Sequence, residues 1–169
     1  MRGGGGDGVL LTLVRRIFPS DAQAVPRFRW PRYVATLYLL VIVTRSCIHL
    51  FKSDGGAHSI ATIDISVPGG ADIVAMFGQW GAVQLQLAVL LLILLWRWRG
   101  LTPLVLLTLL EEPFLRALAG HLKPLTAVGT PPGKELNWLV VPILAIALIG
   151  SLWPREQDLR RQGAGTGNN

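Results

Sequence analysis

Cysteine occurs once among the 169 residues, at Cys47. An intrachain disulfide, a CxxC redox pair and a thiolate metal cage are thereby excluded. Cys47 lies in an apolar run, where a thiol is expected to be inert and buried. Charge is also scarce. Asp, Glu, Lys and Arg make up 15% of the chain, against 51% hydrophobic residues and a mean hydropathy of +0.47. Ordinary soluble domains carry about 25% charged residues, so this chain is too apolar for that class. No HxxxH or ExxH pair occurs, and His58 and His121 fall in loops, so no metal and no cofactor is expected. Neither a Ser-His-Asp pattern nor a phosphate loop is present. No nucleic-acid-binding module is recognisable despite the net charge of +6. No cleaved secretion signal is expected either, because in "GVLLTLV" the basic Arg15 and Arg16 follow the apolar run instead of preceding it.

What the chain does have is four apolar blocks, near residues 33–51, 71–96, 101–120 and 136–153. A bilayer-spanning helix needs about 20 apolar residues, and each block meets or approaches that length. "WRWRG" between the second and third blocks leaves room only for a tight turn between antiparallel helices. Arginines gather at alternate ends. Arg2, Arg15, Arg16, Arg27, Arg29 and Arg32 precede the first block, Arg97 and Arg99 separate the second and third, and Arg155, Arg160 and Arg161 follow the fourth. The other connections hold only Lys52, Lys123 and Lys134 as Lys or Arg. This bias predicts that both termini are cytoplasmic, and the Trp residues at the block ends fit an interfacial belt.

The expected fold is therefore all-α, an integral membrane four-helix bundle over residues 33–153. A basic, partly disordered cytoplasmic arm (1–32) precedes it and a disordered cytoplasmic tail (154–169) follows. Within the arm, residues 8–18 read as a brief amphipathic segment or a flexible stretch, and "RGGGGDG" as an open tail. The longest outer connection, residues 52–70, is expected to fold over the outer end of the bundle. Gly69, Gly70, Gly78 and Gly81 read as turn or close-packing positions.

The segment "LLEEPFLRAL", residues 109–118, puts charges into the third block. Counted from the cytoplasmic helix ends at 1.5 Å per residue, Arg45, Gln84 and Glu112 all lie at ~18 Å. His49, Arg116 and Asn137 lie at ~24 Å and Gln79 at ~26 Å by the same count. These residues and Glu111 are the candidate site, a polar layer in the outer half of the bundle. Charges in a membrane turn inward and find partners. Two glutamates and two arginines make the cluster formally neutral, with Glu112 and Arg116 spaced i,i+4 and Arg45 and His49 likewise.

The run "GQWGAVQLQLAVLLLILLWRWRG" in the second block, within a layout of four short helices, resembles the small DoxX-like bacterial membrane proteins. The resemblance implies a fold and a bacterial inner membrane, and no reaction. Two functions compete. One is the binding of a lipid, quinone or other small amphiphile at the polar layer. The other is an accessory role, packing against the subunits of a larger membrane complex. An enzyme using Glu111 or Glu112 as acid or base ranks behind both, because neighbouring arginines favour the carboxylate. The expected partners are the lipid bilayer, such an amphiphile and other membrane subunits, with no nucleic acid.

Overall fold

The computed structural model describes residues 5–124, 128–129 and 133–153; the side chains of 5–7, 9 and 133–137 and the tail from 154 onward are outside the described residues. The order is α1 (Gly5–Ile17), α2 (Trp30–Phe51), α3 (Gly70–Arg97), α4 (Thr102–Leu122) and α5 (Gly133–Ser151), with no strand among the described residues. Pro31 and Pro103 sit in the first turns of α2 and α4, where a missing N–H costs nothing. A single 3₁₀ turn, Arg99–Leu101, joins α3 to α4. We call this the turn end of the molecule, and the opposite end the loop end.

Two helices, α2 and α3, are long and apolar enough to cross a membrane, with mean hydropathies of 1.8 and 1.7. At 1.5 Å per residue they extend roughly 33 and 42 Å. Helix α4 falls short of the same criterion because Glu111, Glu112 and Arg116 interrupt it. The described apolar part of α5, Trp138–Ser151, is shorter.

The core occupies the half of the bundle nearer the turn end. Ala35, Leu39 and Ile42 of α2 meet Ala88, Leu91 and Leu95 of α3, Val105, Leu106 and Leu109 of α4, and Leu144 and Ala147 of α5. Spacings of three and four residues place each set on one helix face. Alanine at three of these positions permits close approach of the backbones. Helices α2 and α3 form the most extensive pair, with α4 and α5 the next. Polar side chains in these runs satisfy themselves locally: Thr36, Thr44 and Thr108 each donate to the carbonyl four residues back.

Gly81 sets the α2–α3 distance. A Cβ there would lie 2.7 Å from His49 Cβ and 3.0 Å from the Ser46 oxygen and the Leu50 nitrogen. Gly70 is tighter still, with the Ile65 carbonyl oxygen 1.9 Å from where a Cβ would stand, and Gly69 turns at φ 87°. Gly78 has ordinary space.

At the loop end, residues 52–62 coil back over α2. Asp54 Oδ1 accepts from the Gly56 amide (3.0 Å) and Oδ2 from the Ser59 amide (2.8 Å), while Lys52 Nζ lies 3.8 Å away. These donors, the Ser59 hydroxyl first among them, hold the Asp54 carboxyl well below the usual carboxylate range. The alternating segment near residue 63 forms only an isolated bridge at Ile63. The second connection meets the first at Thr62: the Val128 amide donates to the Thr62 carbonyl (2.9 Å), and Thr62 Oγ1 to the Gly129 carbonyl (3.0 Å). Thr62 has φ 55°, an uncommon state for a β-branched residue, which these two bonds help maintain.

The N-terminal arm contains a helix. Helix α1 starts at Gly5, within the stretch expected to be open tail. Arg16 Nη1 donates to the Leu152 carbonyl (2.7 Å) and ties α1 to the end of α5.

Candidate functional site

The polar residues beyond the core divide into two groups on either side of α2. The first joins α2 to α4. Glu112 accepts from Arg116 one turn later, Nε to Oε1 at 3.0 Å, with Nη2 of the same guanidinium against both carboxylate oxygens. Arg45 Nη2 lies 3.8 Å from Glu112 Oε1, an ion pair without a hydrogen bond. Tyr38 lies two turns before Arg45 on the same face of α2. The three charged side chains are 26–30% exposed.

The second group joins α2 to α3. Ser46 Oγ donates to Gln84 Oε1 (3.2 Å). His49 is buried, with Nδ1 2.7 Å from the Gly55 carbonyl. A carbonyl can only accept, so this contact places a proton on Nδ1. The His49 ring lies 4.8 Å from Trp80 and 5.5 Å from Phe77, centroid to centroid. Gly56, at φ 74°, closes over it: a Cβ there would stand 3.0 Å from His49 Nδ1. Trp80 links the two groups, because the Arg45 guanidinium also lies over its ring at 5.5 Å.

Of the expected layer, Arg45, Glu112 and Arg116 come together, and Gln84 and His49 fall beside them across α2. Glu111 and Gln79 do not join. Both are exposed, and Glu111 has no ion pair among the described residues. Residue 111 is one position before 112, so on a helix the two carboxylates point about 100° apart and only one can face Arg45. This corrects the charge count. Two guanidinium groups share one carboxylate, so among the described residues the cluster carries one uncompensated positive charge instead of being neutral. The Asn137 side chain is outside the described residues.

Tyr38, Ser46, Phe77 and Trp80 were not among the residues expected at the site. Their signal was spacing: Tyr38 is seven residues before Arg45, and Phe77, Trp80 and Gln84 follow at i, i+3 and i+7.

Beside Arg45 runs a shallow open groove of about 350 Å³, lined by Leu37, Leu40, Val41, Thr44, Arg45 and Ile48. The spacing is a single stripe along α2. Arg45 Nε and Nη2 are buried and have no hydrogen-bond partner among the described residues. A guanidinium N–H withdrawn from water without an acceptor is costly, so this donor edge is chemically unsatisfied. No cluster of His, Cys, Asp or Glu suited to a metal ion occurs among the described residues. No family model, curated protein or solved structure matches the chain.

Proposed function

We propose that this chain is a multi-pass membrane protein that binds a small amphiphile against Arg45. One observation carries the reading: Arg45, the one charged residue of the surplus-cation cluster that borders it, lines an aliphatic groove of about 350 Å³. A head group rich in acceptors would satisfy Arg45, and the surplus positive charge favours an anionic one. Its tail would lie along Leu37, Leu40, Val41 and Ile48. Lipids and quinones are the natural classes. Pockets for small ligands have this makeup, mostly apolar with a few placed polar groups.

In the same reading all four long helices span, with both termini cytoplasmic, in a bacterial inner membrane, as the resemblance to DoxX-like proteins implies. The apolar character of α2 and α3, the arginines at the turn end and the exposed Trp30, Trp96 and Trp153 near helix ends support it. For α4, ion-pairing of Glu112 with Arg116 lowers the cost of insertion. A cysteine placed at residue 58 in a Cys47→Ser background should react with an impermeant thiol reagent from the outer side. Labelling from the cytoplasmic side alone would overturn the topology.

A second reading is an accessory subunit of a larger complex. The row Leu139, Ile143, Ile146 and Ile149 on α5 is exposed at helical spacing and would suit a partner helix as well as lipid. Purification in mild detergent followed by mass spectrometry of lipids and proteins separates the two. Binding of an amphiphile predicts a stoichiometric small molecule that is lost in Arg45→Met. A stoichiometric partner chain with no bound small molecule would favour the subunit reading.

A further inference from the structure

Helix α1 has an apolar face that the bundle leaves uncovered. At about 100° per residue, Leu10, Leu11, Leu13, Val14, Ile17 and Phe18 fall within roughly 160° of its circumference. Gly8, Thr12, Arg15 and Arg16 occupy the opposite side. Phe18 continues the last turn, its amide donating to the Val14 carbonyl (2.8 Å). Leu10, Leu11 and Phe18 are 57–63% exposed, and of the six only Ile17 is half-buried. The chain's own tail is too polar to cover this face, since residues 154–169 hold one large aliphatic residue, Leu159.

Three contacts fix the end of α1 and the segment after it at the turn end. Arg16 Nη1 donates to the Leu152 carbonyl, next to Trp153. The Ala22 carbonyl accepts from the Gly100 amide (2.8 Å) in the turn between α3 and α4. The Phe28 and Trp153 rings meet at 6.3 Å, centroid to centroid. The last turn of α1 is thus held at the level of the exposed Trp30, Trp96 and Trp153. At 13 residues α1 is roughly 20 Å long, too short to cross a hydrocarbon core of about 30 Å. A short helix with an apolar face opposite basic residues suits the plane of a bilayer surface, its apolar side among acyl chains and its cations among head groups. Charge favours an anionic leaflet. Residues 5–29 carry Arg15, Arg16, Arg27 and Arg29 against Asp7 and Asp21, and none of these arginines makes an ion pair among the described residues.

We propose that α1 lies in the surface of an anionic bilayer leaflet, with Leu10, Leu11, Val14 and Phe18 among the acyl chains and Arg15 among the head groups. The proposal rests on the membrane reading above and is independent of the groove at Arg45. Spin-label accessibility of the full chain tests it, in a Cys47→Ser background. The vesicles are phosphatidylcholine alone or phosphatidylcholine mixed with phosphatidylglycerol. Nitroxides are placed singly at Leu10→Cys, Thr12→Cys, Val14→Cys and, as a reference on the exposed side of α3, Val83→Cys. In mixed vesicles the labels at 10, 14 and 83 should collide more with oxygen than with a water-soluble nickel chelate, and the label at 12 should do the reverse. In phosphatidylcholine alone, nickel access at residue 10 should rise about fivefold, the factor for losing the attraction of one arginine to an anionic surface. Leu11→Cys or Phe18→Cys replaces an apolar position whose label disturbs the fold. Nickel access at 10 and 14 with residue 83 in lipid would overturn the proposal and leave the membrane reading standing. Nickel access at all four positions would overturn both. Shielding of 10 and 14 from both reagents would mean that a protein covers the face, and would overturn the proposal, as would equal profiles in the two kinds of vesicle.

Discussion

Glu112 and Arg45 face each other, yet removing them should have unequal consequences. Glu112→Gln leaves Arg45 and Arg116 together with no carboxylate. Stripping one partner from a fully buried ion pair costs about 3–5 kcal/mol, and partial exposure places this site near the lower end, about 3 kcal/mol. Arg45→Met instead leaves the neutral, doubly bonded Glu112–Arg116 pair intact. It removes two buried nitrogens, Nε and Nη2, that have no hydrogen-bond partner among the described residues. Against that stand the loss of the 3.8 Å ion pair with Glu112 and of the contact with Trp80, each worth up to about 1 kcal/mol at a partly exposed site. The net change should lie within about 1 kcal/mol of zero. For a chain of this size 1 kcal/mol corresponds to roughly 2–4 °C in Tm, so Glu112→Gln should melt about 6–12 °C lower and Arg45→Met within about 4 °C of wild type. Tryptophan fluorescence melts in mild detergent at neutral pH measure both. The double variant should be more stable than Glu112→Gln alone, because it relieves the repulsion between the arginines. An Arg45→Met variant that melts as low as Glu112→Gln would refute the charge count, and with it the argument that Arg45 is free to serve a ligand.

Gly81→Ala should destabilise by about 1–3 kcal/mol, because two of the three atoms it would strike belong to the α2 backbone and cannot rotate aside. Gly78→Ala is the control and should be nearly neutral in the same melts. Asp54 yields a pH prediction. Its carboxyl is held below the ordinary value of 3.8, so its stabilisation is present above that pH and lost as pH falls through the lower folded value. The stability gap between wild type and Asp54→Asn should thus be constant from neutrality down to about pH 4 and close in stronger acid. A gap that widens in acid would contradict the assignment. Arg16→Ala releases α1 from the Leu152 carbonyl, and chymotrypsin should then cut near Phe18 about fivefold faster, as expected for losing one half-exposed charged hydrogen bond.

Helix positions were legible in the primary structure because they depend on local properties. Runs of apolar residues and the short "WRWRG" link place four long helices within a few residues of where they lie. The close-packing role of Gly81 and the turn at Gly69 were readable for the same reason. Depth counting along each helix also brought Arg45 and Glu112 to one level, since rise per residue is nearly constant.

Rotation about each helix axis was not readable. Depth says how far along a residue lies, and only packing decides which way it points. Placing Ala35, Leu39 and Ile42 in the core turns Arg45 towards α4 and Ser46 towards α3, splitting one expected layer into two groups. The same constraint admits Glu112 and leaves Glu111 outside, so the neutral cluster implied by composition becomes one with a surplus cation. His49 likewise depends on residues distant in its surroundings: Gly55 and Gly56 from the loop, and Trp80 across the helix pair, bury a group that its place near a helix end would leave at the interface. Sequence alone determined which residues are polar and how deep they sit, because both follow from local chemistry and a fixed helical rise. Which charges share a partner was decided by the tertiary structure, because a helix has one buried face and close packing settles which residues occupy it.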